Sequence, residues 1–219
     1  MKVMVLNRQD TVLNNYLAEL RDVDVQTDSM RFRRNIERIG WMMAYEVSRT
    51  LSYSICDIVT PLGVAPVSLP TDPIVVGSIL RAGIPMHQGV LDVFDKCENC
   101  FISAYRQYTA ADSFDINLEY VATPNLDGKV LLLNDPMLAT GCSIELTYKA
   151  LMAYGKPKHT HILSVIGSNA GVDYLCKALE GEPVTLWIAA VDPDLNSHKY
   201  IVPGLGDAGD LAYGAKCSR

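Results

Sequence analysis

The chain has 219 residues, 49% of them hydrophobic and 20% charged, and carries a formal net charge of −6. That balance is ordinary for a globular protein, argues against disorder and gives no overall attraction for nucleic acid or an anionic membrane. The length suits one well-filled domain, and neither MKVMVLNRQD nor any later apolar run has the make-up of a signal peptide or a membrane span, so a cytoplasmic protein is expected.

Asp10-Thr11 is placed to cap a helix whose Leu13, Tyr16, Leu17 and Leu20 fall on one stripe. Asp28-Ser29 opens a longer helix with Phe32, Ile36, Ile39 and Met43 at helical spacing, so Met42 and Met43 belong to an apolar helix rather than a cofactor box. From residue 73 strands and helices alternate. PIVVGSIL (73–80) reads as a buried strand and GIPMHQGVLDVF (83–94) as a helix opened by Gly83 and Pro85, with His87 as a polar surface residue near its start. CFISAYR (100–106) and LEYVATP (118–124) read as strands around the polar excursion QYTAADSFDIN. KVLLLND (129–135) is the strongest strand, and SIELTYKALMAYG (143–155) is the helix after it, ended by Gly155 and Pro157. HTHILSVIGS (159–168), a helix near 170–180 and VTLWIAAVD (184–192) complete the series. The alternation predicts an α/β fold with a mainly parallel twisted sheet and flanking helices.

One domain is expected, with a helical arm over 1–52, a core over about 70–192 and a different segment over about 193–219. That last segment holds Gly204, Gly206, Gly209 and Gly214 and shows no helical or strand period of useful length. Ile201, Val202 and Leu205 make it too apolar for a surface tail, so it reads as a hood that meets a ligand with its main chain. Six cysteines, at 56, 97, 100, 142, 176 and 217, are expected to be reduced thiols. Cys97-Glu-Asn-Cys100 has the spacing of half a zinc site, but no second pair follows, and local packing is the preferred reading. Trp41 and Trp187 read as core or interface residues.

In LLLNDPMLATGCSIEL (131–146) a buried strand turns acidic at Asp135 and then runs through small residues into a helix. Ligands of open α/β sheets bind beyond the carboxyl ends of the strands, where Asp135 stands. Several N–H groups of the small residues can approach an anion there, with Thr140 and Ser143 adding hydroxyls. The competing reading is a plain strand-to-helix turn with Ser143 as N-cap. Neither GxxxxGK[ST] nor GxGxxG occurs here. A second strand-to-helix turn, Ser78-Ile79-Leu80-Arg81-Ala82-Gly83, puts Arg81 where it can bond phosphate oxygens, unless it forms only a surface ion pair. Two anion-ready turns on one sheet suit a substrate phosphorylated at both ends, with Asp135 between them for sugar hydroxyls.

DPMLATGCS (135–143) resembles the phosphoribosyl-pyrophosphate signature of type I phosphoribosyltransferases, in the form used by uracil phosphoribosyltransferases. SILRAG (78–83), YR (105–106), FRR with AYE (32–34, 44–46) and YIVPGLGDAGD (200–210) resemble that family in the same order. The resemblance implies transfer of ribose 5-phosphate from 5-phosphoribosyl 1-pyrophosphate (PRPP) to N1 of uracil, giving UMP and pyrophosphate. It implies that Asp135 binds the ribose hydroxyls and that the turn from Pro136, Met137 and Leu138 through Ala139, Thr140, Gly141, Cys142 and Ser143 wraps the 5′-phosphate. Arg81, the backbone of Ala82 and Gly83, and Arg106 at the edge of a mobile loop are implied to face the pyrophosphate. Uracil is implied to meet main-chain groups of Ile201, Gly206 and Ala208, with Tyr200 near the ring. Asp207 is implied to reach the ribose and pyrophosphate through Mg2+ and its waters, with no direct protein ligand to the metal. Arg81, Arg106 and Asp207 are the implied catalytic residues, and a homodimer or higher homo-oligomer is implied as well.

Three segments depart from the family pattern. Cys142 stands where a second glycine is usual, so a positive φ there would cost about 1–2 kcal/mol. QYTAADSFDIN (107–117) replaces an acidic, proline-bearing loop, and SNAG (168–171) replaces a segment ending Pro-Glu-Gly. Asn134 beside Asp135 leaves a single carboxylate at the strand end. These departures keep two alternatives open: a paralogue acting on another base, and a non-catalytic regulator that binds PRPP or UMP.

Overall fold

A computed structural model describes residues 1–108 and 114–217, giving for 104–108 and 114–119 the backbone alone. In chain order the first half comprises β1 (Lys2–Val5), α1 (Leu13–Arg21), α2 (Ser29–Ser48), β2 (Tyr53–Thr60), β3 (Gly63–Pro70), β4 (Ile74–Leu80), α3 (Gly83–Leu91), β5 (Glu98–Tyr108) and β6 (Phe114–Ala122). The second half comprises β7 (Val130–Asn134), β8 (Met137–Leu138), α4 (Cys142–Leu151), β9 (His159–Ser168), α5 (Asn169–Ala178), β10 (Val184–Asp192), β11 (Asp194–Leu195), β12 (Ile201–Val202) and α6 (Ala208–Tyr213).

Among the described residues the main sheet runs β1-β10-β9-β7-β4-β5-β6, with the short β8 also on β9. Every pairing is parallel except β5 with β6. A central parallel strand must be apolar on both faces, because helices cover both. β7 shows this: Val130 and Leu132 join the core under α1, α2 and α3, while Leu131 and Leu133 join the one under α4 and α5. The stripe Phe32, Ile36, Ile39 and Met43 of α2 is fully buried in the first core. The Asp28 side chain caps that helix, accepting from the N–H groups of Met30 and Arg31. α2 and α3 cross closely: a Cβ on Gly89 would stand 1.9 Å from the Glu37 carbonyl oxygen, so only glycine fits.

The strands at 159–168 and 184–192 match expectation residue for residue. Elsewhere the structure corrects the reading. Residues 2–5 are a strand on the sheet edge, in register with residues 185–188 of β10. Asp10-Thr11 does not cap α1; the helix starts at Leu13 behind a helical Val12, with no side-chain cap. Residues 53–70 form a two-stranded hairpin that, among the described residues, pairs only with itself and leaves Ile55, Val59, Leu62 and Val64 in solvent. β5 and β6 are longer than expected and pair antiparallel out to Tyr108 and Phe114; the rest of the polar excursion, 109–113, lies outside the described residues. The last segment contains the short helix α6.

His87 is not a surface residue. It is 4% exposed, because α3 lies between the sheet and α2. Its ring bonds Ser78 Oγ and Asn99 Oδ1, each at 2.8 Å, and stacks on Phe101. Trp187 is buried and donates its indole N–H to His161 Nδ1, whereas Trp41 is half exposed and stacks on Tyr45. Burial raises the thiols of Cys97 and Cys100 above their ordinary value, in keeping with a packing role.

Candidate active site

Ser78 of β4 and Asn134 of β7 are register partners, so the turns after these parallel strands emerge at one rim of the sheet. Between them lies a cleft of about 680 Å³, closed on its other side by residues 198–201 and 206–209 and by Lys216. Arg81, Ala82, Asp135, Met137, Ala139, Ser143, Tyr200, Ile201, Gly206, Asp207 and Ala208 line it. Leu138, Thr140 and Gly141 line a small adjoining hollow with Asp135 and Ser143. Most residues singled out in the sequence thus share one space.

Three do not line it, and a fourth is described in its backbone alone. Gly83 lies behind the Arg81 turn, where a Cβ would come within 3.0 Å of the Asn134 carbonyl oxygen. The Pro136 carbonyl faces β9 and accepts from the N–H groups of Val165 and Ile166. Cys142 is the first residue of α4. The side chain of Arg106 lies outside the described residues; its backbone pairs with Ile116. Sequence reasoning missed Ser103, His198, Lys199 and Lys216 on the cleft wall. A basic residue among turn formers carries no periodic signal, and only the fold brings Lys216 back over the site.

The small-residue turn is built for close approach. Gly141 takes the left-handed conformation, with φ of 84°, and ends the turn as N-cap of α4 without a side-chain cap, so Ser143 is not the N-cap. Cys142 is absent from the positive-φ positions, so its side chain imposes no such strain. The segment SNAG supports the turn from below. Ser168 Oγ donates to the Ala139 carbonyl at 2.6 Å, and a Cβ on Gly171 would stand 2.3 Å from the same oxygen. Asp135 Oδ1 accepts the Met137 N–H, and the Ser164 hydroxyl donates to the Asp135 carbonyl, fixing the carboxylate at the strand end.

Across the cleft, Arg81 donates to Asp210 Oδ1 at 2.9 Å and to the Gly214 carbonyl at 3.3 Å. The ion-pair reading of Arg81 therefore holds, but its partner belongs to the hood rather than to the outer surface. The Leu80–Arg81 peptide is cis, as is Val202–Pro203. Asp207 caps α6, accepting the Asp210 N–H, and its other oxygen lies 3.6 Å from the Lys216 ammonium. The hood is tied down by Asp192 at the end of β10, which is 5% exposed. Arg21 of α1 donates to both Asp192 oxygens and to the Gly204 carbonyl, while the Gly204 N–H donates to Asp192. Burial by itself would raise the Asp192 carboxyl, but the Arg21 guanidinium and the Gly204 amide outweigh it and hold it below its ordinary value. Arg33 of α2 adds a bond to the Ala212 carbonyl.

A parallel sheet with an arginine turn, an aspartate turn and a glycine-rich roof at one rim is the build of a type I phosphoribosyltransferase. The fold agrees: hypoxanthine phosphoribosyltransferase from Staphylococcus aureus superposes with a TM-score of 0.51 at 12% identity, over 85% of this chain and 84% of that one. Protein AQ2163 from Aquifex aeolicus superposes with a TM-score of 0.86 at 24% identity, over 99% of this chain and 100% of that one. The sequence narrows the class. The family model described as uracil phosphoribosyltransferase matches residues 7–215. The uracil phosphoribosyltransferase of Porphyromonas gingivalis (strain W83) is 53% identical over 216 residues, 99% of this chain and 100% of that protein. That of Methanothermobacter thermautotrophicus is 40% identical over 189 residues, 85% of each chain. The chain belongs to the uracil phosphoribosyltransferase family.

Three outcomes are expected of the site's scaffold. Gly141→Ala should lower stability by about 2 kcal/mol in urea titration, since the new Cβ meets a positive φ and Tyr174, Gly171 and Leu175 within 3.1 Å. Cys142→Gly should give no gain, losing about 0.5–1 kcal/mol as a helix residue. Because the folded-state pKa of Asp192 is depressed, its stabilisation is present above the unfolded value near pH 4 and is lost as pH falls through the folded one. Asp192→Asn should therefore cost about 2–3 kcal/mol at pH 7, and the gap to wild type should close in acid unfolding below pH 4.

Proposed function

We propose that this chain transfers the 5-phosphoribosyl group of PRPP to uracil, yielding UMP and pyrophosphate. One observation carries the reading: the Arg81 turn, the Asp135–Ser143 turn and residues 200–201 and 206–208 of the roof line a single cleft in a chain of this family. The bond from the anomeric carbon to pyrophosphate breaks, a bond to N1 of uracil forms, and N1 gives up its proton. Such transfers pass through an oxocarbenium-like state, so orientation and charge control matter more than a protein nucleophile.

Asp135 would bind the ribose hydroxyls, and the backbone from Pro136 to Ser143 would hold the 5′-phosphate, with Gly141 giving the turn its closeness. Arg81 and the backbone of Ala82 and Gly83 would face the pyrophosphate, joined by Arg106 from β5. Main-chain groups of Ile201, Gly206 and Ala208 would read the planar pattern of carbonyls and N–H groups on uracil, with Tyr200 beside the ring. A site built on fixed donors and acceptors rejects a base that leaves them unpaired.

Mg2+ fits the donor set. Asp135 and Asp207 bring hard carboxylate oxygens to the cleft, and among the described residues no group of three His, Cys, Asp or Glu side chains is arranged around one point. Asp207 would reach the ion through its waters, as the family resemblance implies. When bound it supplies positive charge to the leaving pyrophosphate.

The regulator and the other-base paralogue are not favoured: Cys142 leaves the cradle unstrained, and the match to the family spans nearly the whole chain. PRPP is a multiply charged sugar phosphate, which supports a cytoplasmic site of action, and no described helix is long and apolar enough to cross a membrane. A single domain is proposed, with the 53–70 hairpin as the contact arm of a homodimer. Leu62 is 100% exposed and Val59 84%, more apolar surface than a lone hairpin can leave wet without consequence.

Purified protein with Mg2+, PRPP and labelled uracil should release UMP. Turnover with a different base alone would point to the paralogue, and PRPP binding without turnover to the regulator. Asp207→Asn should cut kcat by roughly two orders of magnitude at unchanged melting temperature, since Asn still caps α6; wild-type turnover would remove Asp207 from the mechanism. Light scattering should give at least twice the monomer mass, reduced by Val59→Asp with Leu62→Asp.

A further inference from the structure

Beneath the cleft runs a chain of buried polar groups that the reaction itself does not use. Asn134 and Ser78 are 0% exposed and face each other across β7 and β4. Asn134 Nδ2 donates to Ser78 Oγ at 3.3 Å, Ser78 Oγ meets His87 Nδ1 at 2.8 Å, and His87 Nε2 meets Asn99 Oδ1 at 2.8 Å. The bonding directions are consistent only in one sense. Asn99 Nδ2 donates to the Cys97 carbonyl, which leaves Oδ1 as an acceptor for the Nε2–H of His87. Nδ1 is then bare and accepts the Ser78 hydroxyl hydrogen, and the Ser78 oxygen accepts from Asn134. Burial lowers the His87 pKa, with the Asn99 bond opposing in part, which keeps the ring in this neutral form.

The placement has a geometric effect. Ser78 is the last residue before the segment 79–83 and His87 lies one turn into α3, so their bond closes the Arg81 turn at its base. Asn134 immediately precedes Asp135, so its bond to Ser78 ties the ribose carboxylate's strand to the same point. An aliphatic residue at 134 would continue the run of β7, yet Asn is present with its Oδ1 unpartnered among the described residues. Stability alone does not account for that choice.

We infer that Ser78, His87 and Asn134 form a buried strut that fixes the spacing between the Arg81 turn and Asp135, making them positioning residues for the pyrophosphate end of PRPP. The inference rests on the assignment of that turn to pyrophosphate, which Arg81→Ala tests independently by raising KM for PRPP. With that control positive, Ser78→Ala and His87→Leu should each raise KM for PRPP roughly tenfold or more while KM for uracil stays within about twofold. The double variant should be no worse than the worse single, because one chain of bonds is broken once. Equal changes in both KM values, multiplying effects in the double variant, or a loss of active protein at unchanged KM would overturn the strut. Should the buried variants fail to fold, Asn99→Ala at the exposed end decides: a rise of about threefold in KM for PRPP alone supports it, and no rise refutes it.

Discussion

The register between β4 and β7 governs the rim of this protein. Ser78 stands opposite Asn134 on parallel neighbours, so the chain leaves both strands in one direction and at one level. Arg81 follows three residues after the first, and Asp135 one residue after the second. Gly83 then lets α3 descend onto the Asn134 carbonyl, where a Cβ would come within 3.0 Å. An antiparallel pairing of the same strands would have sent the two turns to opposite ends of the sheet.

The other wall of the cleft depends on contacts made far away in sequence. Arg21 and Asp192 bind Gly204 between them, and Arg33 holds the end of α6. The ion pair of Arg21 with Asp192 is largely shielded, so it serves as an anchor. The pairs inside the cleft are different in kind. Arg81 with Asp210 has side chains 37% and 35% exposed, and Lys216 with Asp207 is looser still. Pairs so wet are worth about 0–1 kcal/mol. Such pairs can exchange partners at little cost, whereas breaking the shielded anchor costs more.

How much of this could be read from the sequence varied with how local the signal was. β7, β9 and β10 declared themselves because strands covered on both faces carry consecutive apolar residues, as at 130–133, 162–163 and 186–191. β1 has only four residues, too few to show a period, and its state is decided by pairing with β10. The hairpin at 53–70 buries little, so no alternation marks it. His87 looked like a surface residue because its helix start carries no sign of α2 lying over it; the clue was the pair Gly40 and Gly89, which permits that crossing. At the site, Asp135 and Arg81 stood out by chemistry, and Asp207 by family resemblance alone. Lys216 and Lys199 did not, since their approach to the cleft depends on the course of the final segment, including a left-handed Lys199 with φ of 63°.

The roof's construction has a consequence for how such a protein can change. Gly204 has φ of 62°, and a Cβ there would stand 2.1 Å from the Ile201 carbonyl oxygen, so the curve of the backbone is dictated by the lack of a side chain. Peptide donors and acceptors held on that curve persist through almost any exchange of letters around them. What this segment presents to the cleft is set by the path of the chain, so changing it would call for a rerouted loop, by insertion or deletion, rather than a substituted residue.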